Sequence, residues 1–244
     1  MGYGYHGKIL RVNLTNGTTS VEELDDKFCR RYLGGAGFNS YYLMKELKKG
    51  IDPLGPENKL IFMGGPLTGL PLSGSSRNAV AAKSPLTGGI AKSEVGGYFG
   101  TEFRRSGYDG MIVEGKSPKP VYLWLTDNKV EIRDATHLWG KETLETETAI
   151  REELGDKKLR FAAIGPAGEN MVRYACVMND LKDAAGRGGM GAVMGSKNLK
   201  AVAARGTIQP ELAHPEGLQK YRKWLIDNPQ AYAAFSEYGT GTPA

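Results

Sequence analysis

Residues 184–201 read AAGRGGMGAVMGSKNLKA, and four glycines fall within six positions of that stretch: Gly186, Gly188, Gly189 and Gly191. Glycine lacks a Cβ, accepts positive φ and lets backbone approach a ligand closely. Consecutive amides in such a run can converge on an anion. Arg187 lies inside the run, with Lys197 and Lys200 just beyond it. The expectation is a loop that receives a phosphate or pyrophosphate.

Gly186, Gly188 and Gly191 also satisfy the G-x-G-x-x-G spacing of a dinucleotide fingerprint. That motif works only between a hydrophobic strand and a long helix, with an acid about 20 residues further on. Here residues 179–185 (NDLKDAA) are polar and not strand-like, Gly195 interrupts the short segment that follows, and Glu211 comes after Pro210. The spacing therefore points away from a Rossmann site and toward an anion loop of another kind.

Glycine use is anomalous along the whole chain. The 34 glycines in 244 residues are about twice the usual share of roughly 7%, with no collagen-like period. They cluster in a few loops, which favours close backbone approach over flexibility. The net charge of +5 is spread rather than blocked, so an anionic ligand or acidic partner fits and a nucleic-acid partner is not expected. Cys29 and Cys176 are isolated and read as two reduced, buried thiols. His6, His137 and His214 have no metal-ligand spacing and read as structural. No apolar run approaches a membrane span, and the expectation is a soluble cytoplasmic protein without membrane contact.

Read in order, 8–14 (KILRVNL) and 18–24 (TTSVEEL) flank an Asn-Gly turn, a hairpin signal. Asp25 or Asp26 caps a helix stopped by Gly34 and Gly35, and a second helix covers 38–48. Strands follow over 59–63, 78–83 and 90–93; 98–105 (YFGTEFRR) reads as a helix whose start, after Gly96 and Gly97, offers free amides to an anion. Tyr98, Phe99 and Phe103 on that helix read as core, and Trp124 and Trp139 as packing residues. Further strands are expected over 110–114, 121–126, 130–133, 159–164, 172–177 and 199–205, with a helix over 144–154. About eleven strands and four or five helices, irregularly interleaved, give an α+β class. After Gly206 the composition shifts to a helix over 216–227 and an apolar-aromatic stretch, then GTGTPA. The organisation expected is a first domain over 1–206, with 207–244 the opening of a truncated second, helical domain.

Several motifs in order, KSPLTGG at 83–89, GGYFGTEF at 96–103, GYDGMIVEGK at 107–116, IGPAGEN at 164–170 and the 184–201 segment, closely resemble the N-terminal domain of tungsten-containing aldehyde:ferredoxin oxidoreductases. The hairpin GKILRVNLTNG and DPLGPENKLIF match too, so the resemblance spans about 5–206. It implies a β-rich domain of two sheets that forms a base for a tungsten, or molybdenum, held by the dithiolenes of two pterins, with a magnesium ion bridging their phosphates. By resemblance Arg77 contacts a pterin, the loop holding Glu94, Gly96 and Gly97 cradles one pterin, and Asp183, Ala184, Ala185, Gly186 and Arg187 cradle the other. Backbone carbonyls of Glu94 and Ala184 match positions that hold the magnesium. Two positions depart from the family pattern: it often has Asn at Glu94 and a basic residue at Asp183.

The resemblance also implies aldehyde oxidation with ferredoxin as acceptor, a possible homodimer, and a 4Fe-4S cluster held by a C-x-x-C-x-x-x-C run in later domains. Those cysteines are not in these 244 residues, and no catalytic residue is expected here. This piece is expected to be inactive alone. The alternatives are a family relative with another substrate, such as a carboxylate- or aromatic-ring-reducing subunit, and a non-catalytic module binding a phosphate or nucleotide.

Overall fold

The computed structural model describes residues 2–239; 240–244, most of the closing GTGTPA, lie outside the described residues. The first half of the chain builds one six-stranded sheet from β1 (Lys8–Asn13), β2 (Thr18–Glu23), β3 (Leu60–Gly64), β4 (Asn78–Lys83), β5 (Ile90–Val95) and β6 (Gly110–Glu114), in the order β2-β1-β6-β3-β4-β5. The second half builds another from β7 (Val121–Thr126), β8 (Lys129–Asp134), β9 (Arg160–Ala163), β10 (Val177–Asn179), β11 (Asp183–Ala185) and β12 (Leu199–Ala204), in the order β11-β10-β9-β12-β7-β8. Each sheet is mixed, with one parallel pair, β1 with β6 and β7 with β12. The α+β class expected from the sequence is therefore observed, as two mixed sheets with flanking helices.

The strands explain the layering. β3 and β12 are buried along their whole length, the pattern of strands covered on both faces. Leu10, Phe62, Val80 and Val113 of the first sheet meet Leu123, Ala162, Val202 and Ala204 of the second in one central core. Helices α3 (Phe99–Arg105) and α6 (Met190–Ser196) contribute to the same core. On the outer face of the first sheet, Ile9, Ile61 and Ile112 pack against Phe38, Tyr42 and Leu43 of α2 (Ala36–Glu46) and Cys29 of α1 (Asp26–Tyr32). On the outer face of the second, Tyr122, Phe161 and Ala203 pack against Ile150 of α4 (Thr143–Leu154).

Local signals behave as their chemistry requires. Asp25 caps α1 by accepting from the Phe28 amide at 2.6 Å, and Gly17 takes φ 65° in the first hairpin turn. The GPAGEN segment forms a one-turn helix, α5 (Pro166–Glu169), with proline in its first turn. Two expectations fail. Residues 172–176 form no strand; only Val177 enters β10. The backbone there instead seats α6: the Gly191 amide donates to the Ala175 carbonyl at 2.9 Å. Conversely, Asp183–Ala185 forms an edge strand although its sequence gives no strand signal. Three residues carry too little pattern to show it.

Beyond β12, α7 (Pro215–Asp227), a single 3-10 turn and α8 (Ala233–Tyr238) contain no buried residue. The described helices number eight rather than four or five, because three short ones escape periodicity.

Glu147 of α4 is 1% exposed, accepts from Arg151 at 2.8 Å and leaves one carboxylate oxygen without a partner. Burial pushes its pKa up to about 7, against the opposing pull of Arg151. The folded state thus holds a proton that the unfolded state releases above the ordinary carboxylate range. That contribution to stability is present below about pH 4.5 and is lost as pH rises through about 7. Glu147→Gln is expected to flatten the fall in stability between those pH values, as read by urea unfolding across that range.

Candidate functional site

The first sheet ends at β5 and the second at β11, and these two edge strands lie against each other. Between them is a cleft of about 390 Å³ lined by Lys92, Ser93, Glu94, Ala184, Gly186 and Arg187. The Arg187 amide crosses it, donating to Ser93 Oγ at 3.2 Å. The two glycine loops, 90 residues apart in sequence, are thereby brought to one place.

Of the residues expected to form a site, Glu94, Ala184, Gly186 and Arg187 line this cleft. Gly96, Gly97 and Asp183 stand beside it in mutual contact: a Cβ on Gly96 would lie 2.8 Å from Asp183 Oδ1, and Gly97 has φ +81°. Ala185 is fully buried in the central core and does not line the cleft, so the structure does not bring this expected site residue to it. Arg77 immediately precedes β4, where Asn78 is in register with Val95, so the chain at Arg77 leaves the sheet alongside Gly96. Its side chain is exposed and does not line the cleft. Among the described residues neither the Arg77 nor the Arg187 guanidinium makes an ion pair or hydrogen bond.

Of the two acidic departures, Glu94 acquires a counter-ion within the fold and Asp183 does not. The Glu94 carboxylate pairs with Lys92, its neighbour on the same face of β5. Lys92 was not expected in the site; the two-residue alternation of β5 was the signal that could have found it. Ser93, on the opposite face, was missed as well.

Other expectations change. Lys197 and Lys200 lie at the far end of the glycine segment but are sealed in the interior with no exposed surface. Lys197 donates to the carbonyls of Asn58 at 2.5 Å and Gly115 at 3.0 Å, and burial pushes its pKa down to about 7. Lys200 donates to the Lys141 carbonyl at 2.6 Å and pairs with Glu169. Both lysines are structural and neither reaches the cleft.

The start of α3 is also not open to an anion. Asp180 Oδ2 accepts from the Tyr98 amide at 2.7 Å and the Phe99 amide at 2.9 Å, so a carboxylate of the protein fills that position. Phe99 and Phe103 are core, as expected, but Tyr98 is 62% exposed, with the Arg160 guanidinium over its ring.

The glycines divide by what faces them. A Cβ on Gly189 would overlap the Arg173 carbonyl, one on Gly191 the Cys176 carbonyl, and one on Gly195 the Gly168 carbonyl. Gly188 and Gly189 also have positive φ. These glycines serve internal packing. Gly186, with nothing within 4 Å of its Cβ position, is the one in the segment open to a ligand. The G-x-G-x-x-G spacing does sit between a strand and a helix, β11 and α6. The strand is antiparallel to its neighbour and the helix only seven residues long, so no Rossmann unit results.

His6 is half-buried, and desolvation drives its pKa down to about 4, so it is a neutral structural imidazole at pH 7. Both cysteines are free; Cys29 is buried and Cys176 half-buried. No group of three potential metal-ligating side chains occurs among the described residues. No described helix is long and apolar enough to cross a membrane.

A family model described as the aldehyde ferredoxin oxidoreductase N-terminal domain matches residues 9–206, which contain the whole cleft and, but for Lys8, both sheets. The chain belongs to this family. The tungsten-containing aldehyde ferredoxin oxidoreductase of Pyrococcus abyssi is 51% identical over 242 residues, covering 98% of this chain and 40% of the relative. The aliphatic sulfonate oxidoreductase WOR-like subunit of Pyrococcus furiosus is 38% identical over 255 residues, again 98% of this chain and 40% of the relative. Among solved structures, the active-site complex BamBC of benzoyl coenzyme A reductase, in complex with 1,5-dienoyl-CoA, superposes with a TM-score of 0.91 at 42% identity, covering 96% of this chain and 36% of that one. The chain thus spans about two fifths of the length of the curated relatives it matches.

The division of glycines within the family's domain can be measured directly. Gly195→Ala is expected to cost about 3 kcal/mol, because backbone rather than a flexible side chain blocks the new methyl. Gly186→Ala is expected to shift stability by no more than about 0.5 kcal/mol. Chemical unfolding of the two variants beside the parent reads both.

Proposed function

We propose that this domain is the cofactor-binding base of a cytoplasmic oxidoreductase that converts an aldehyde and water to a carboxylate and passes two electrons to ferredoxin. The observation that carries the proposal is the cleft between β5 and β11, where the exposed, sterically open Gly186 and the unpartnered Arg187 guanidinium meet the Glu94 loop. The chain's residues fit a phosphate-bearing pterin pair. A guanidinium forms charge-assisted, bidentate bonds to phosphate, and glycine leaves its amides approachable. The 51% identity to an enzyme named for tungsten and aldehyde supports that choice of metal and substrate.

In this proposal Arg187 binds the phosphate of one pterin and Arg77 reaches the other from the side of β4. Gly96 and Gly97 present backbone to the pterin that Arg77 reaches, and Asp183, Ala184 and Gly186 to the one that Arg187 binds. Carbonyl oxygens of Glu94 and Ala184 take part in holding magnesium, a hard cation that accepts oxygen ligands. The Lys92 ammonium holds the Glu94 carboxylate and lowers its repulsion of phosphate. When bound, the pterin-held tungsten supplies the two-electron chemistry. The domain itself binds, orients and shields. The 4Fe-4S cluster and the groups that move protons belong to the part of the relatives that this chain does not span.

The likeness to BamBC supports a second reading, reduction of an aromatic ring, in which this domain has the same task. Aldehyde-oxidation and aromatic acyl-CoA reduction assays of the intact enzyme separate the two.

Elemental and pterin analysis of the intact native protein, purified without oxygen, tests the proposal. The expected result is about one tungsten or molybdenum per chain with two pterins. Arg187→Ala is expected to lower bound metal and pterin together while the secondary structure is retained. Normal occupancy in that variant would remove Arg187 from the site, and a native protein with neither metal nor pterin would overturn the proposal.

A further inference from the structure

The lips of the cleft come from different sheets, so their separation is not fixed by any one ladder of strand hydrogen bonds. Beside the cleft, Asn179 and Asp180, consecutive residues at the end of β10, bridge from the second sheet to the first. Asn179 Nδ2 donates to the Gly96 carbonyl at 2.9 Å and to Asn78 Oδ1 at 2.9 Å. Asp180 Oδ2 accepts from the Tyr98 and Phe99 amides, directly after Gly97, while its Oδ1 accepts from the Phe161 amide of β9 at 3.1 Å. One carboxylate therefore holds the backbone that leaves one lip and a central strand of the opposite sheet.

Three further observations show how tightly this contact is made. Asp180 has φ 49° and Leu181 φ 67°, two consecutive non-glycine residues in the left-handed region. Such backbone persists only where its surroundings over-determine it, and the three bonds to Asp180 supply that constraint. A Cβ on Gly97 would lie 3.1 Å from Asp180 Oδ2, 3.3 Å from Asn179 Cβ and 3.3 Å from Asp183 Oδ2, so the lip has no slack. Asn78 and Asn179 are 2% and 0% exposed, yet Asn78 Nδ2 and Asn179 Oδ1 have no partner. Buried amides left partly unpaired are unfavourable, so stability alone gives no reason for placing this pair between the sheets.

We propose that Asn78, Asn179 and Asp180 form an inter-sheet clamp that sets the separation of the two lips of the cleft, with Asp180 as its central positioning residue. The role given to the clamp in cofactor binding rests on the function proposed above; the clamp itself rests on the contacts. Asp180 is not among the residues that line the cleft. It acts through Gly97 and Tyr98 on one side and, along its own hairpin, through Asp183 on the other.

Asp180→Asn keeps the size of the side chain but replaces one acceptor oxygen with an amide nitrogen, so it cannot accept from both sheets. In the intact protein, hydrogen–deuterium exchange is expected to accelerate about tenfold or more, the scale of one lost charge-assisted hydrogen bond, at Tyr98 and Phe99 or at Phe161. The amides of the β1–β2 hairpin keep their protection. Pterin and metal content are expected to fall to about half or less of the parent's. Asn179→Ala, which loses the links to Gly96 and Asn78, is expected to loosen the same lip and serves where Asp180→Asn does not fold. Leu181→Gly, which relieves backbone strain without touching the bonds, is expected to leave exchange at Tyr98 and cofactor content unchanged.

Exchange confined to 180–182, or raised uniformly over the protein, overturns the clamp, as does full cofactor content in a variant whose lips have loosened. Lips that loosen locally in a protein whose parent holds no pterin or metal support the clamp and overturn the cofactor proposal instead.

Discussion

The inner faces of the two sheets bury against each other through Phe62, Phe99, Phe103 and the aliphatic side chains around them. At about 25 cal/mol per Å² of apolar surface removed from water, this packing is the main favourable term in the fold. It is non-directional, though, and cannot by itself set one sheet edge against another. Direction comes from polar links placed where the edges meet, and from buried ions elsewhere. The Arg104–Asp109 pair is 1% exposed on both sides; Asp109 also accepts from the Gly7 amide at 2.6 Å, tying the start of β1 to the residue before β6. Lys197 does the same for the loops at 56–58 and 115.

The alternating hairpin, the buried apolar strands and the capped first helix were legible because each carries its signal in neighbouring residues. The cleft was legible in part. Its glycine and arginine chemistry stands in one contiguous segment, and the family resemblance located the partner loop. What could not be read was which glycines stand open and which are packed. Gly186 and Gly191 look alike in sequence, yet only the fold puts the Cys176 carbonyl against one and open space before the other. The same limit explains 172–177. VRYACV alternates like a strand, but its backbone seats Gly189 and Gly191 at the start of α6 and so cannot also join a sheet over most of its length.

Charge was harder still to place. Lys197 and Lys200 looked like phosphate ligands by proximity in sequence, and the start of α3 looked like an empty anion site. Each is satisfied by a group distant along the chain: Lys197 by Asn58, 139 residues away, and the helix start by Asp180, 82 residues away. Hydrogen-bond accounting across such separations requires the fold. The departure at Glu94 shows the reverse case. The Glu94 acid, unfavourable beside phosphate in isolation, acquires a counter-ion two residues away once the alternation of β5 is known.

Chain order gives the two-sheet plan a consequence for synthesis. The first sheet is complete when residue 114 has left the ribosome, and the second only with β12. At elongation rates of about 5–20 residues per second, the inner face bearing Leu10, Phe62, Val80 and Val113 waits on the order of ten seconds for its cover. During that interval the nascent chain is half of a sandwich, with its stickiest surface in water. Whatever shields that surface, the ribosome itself or a chaperone, acts before the cleft exists, because every bond across it needs residues beyond 178.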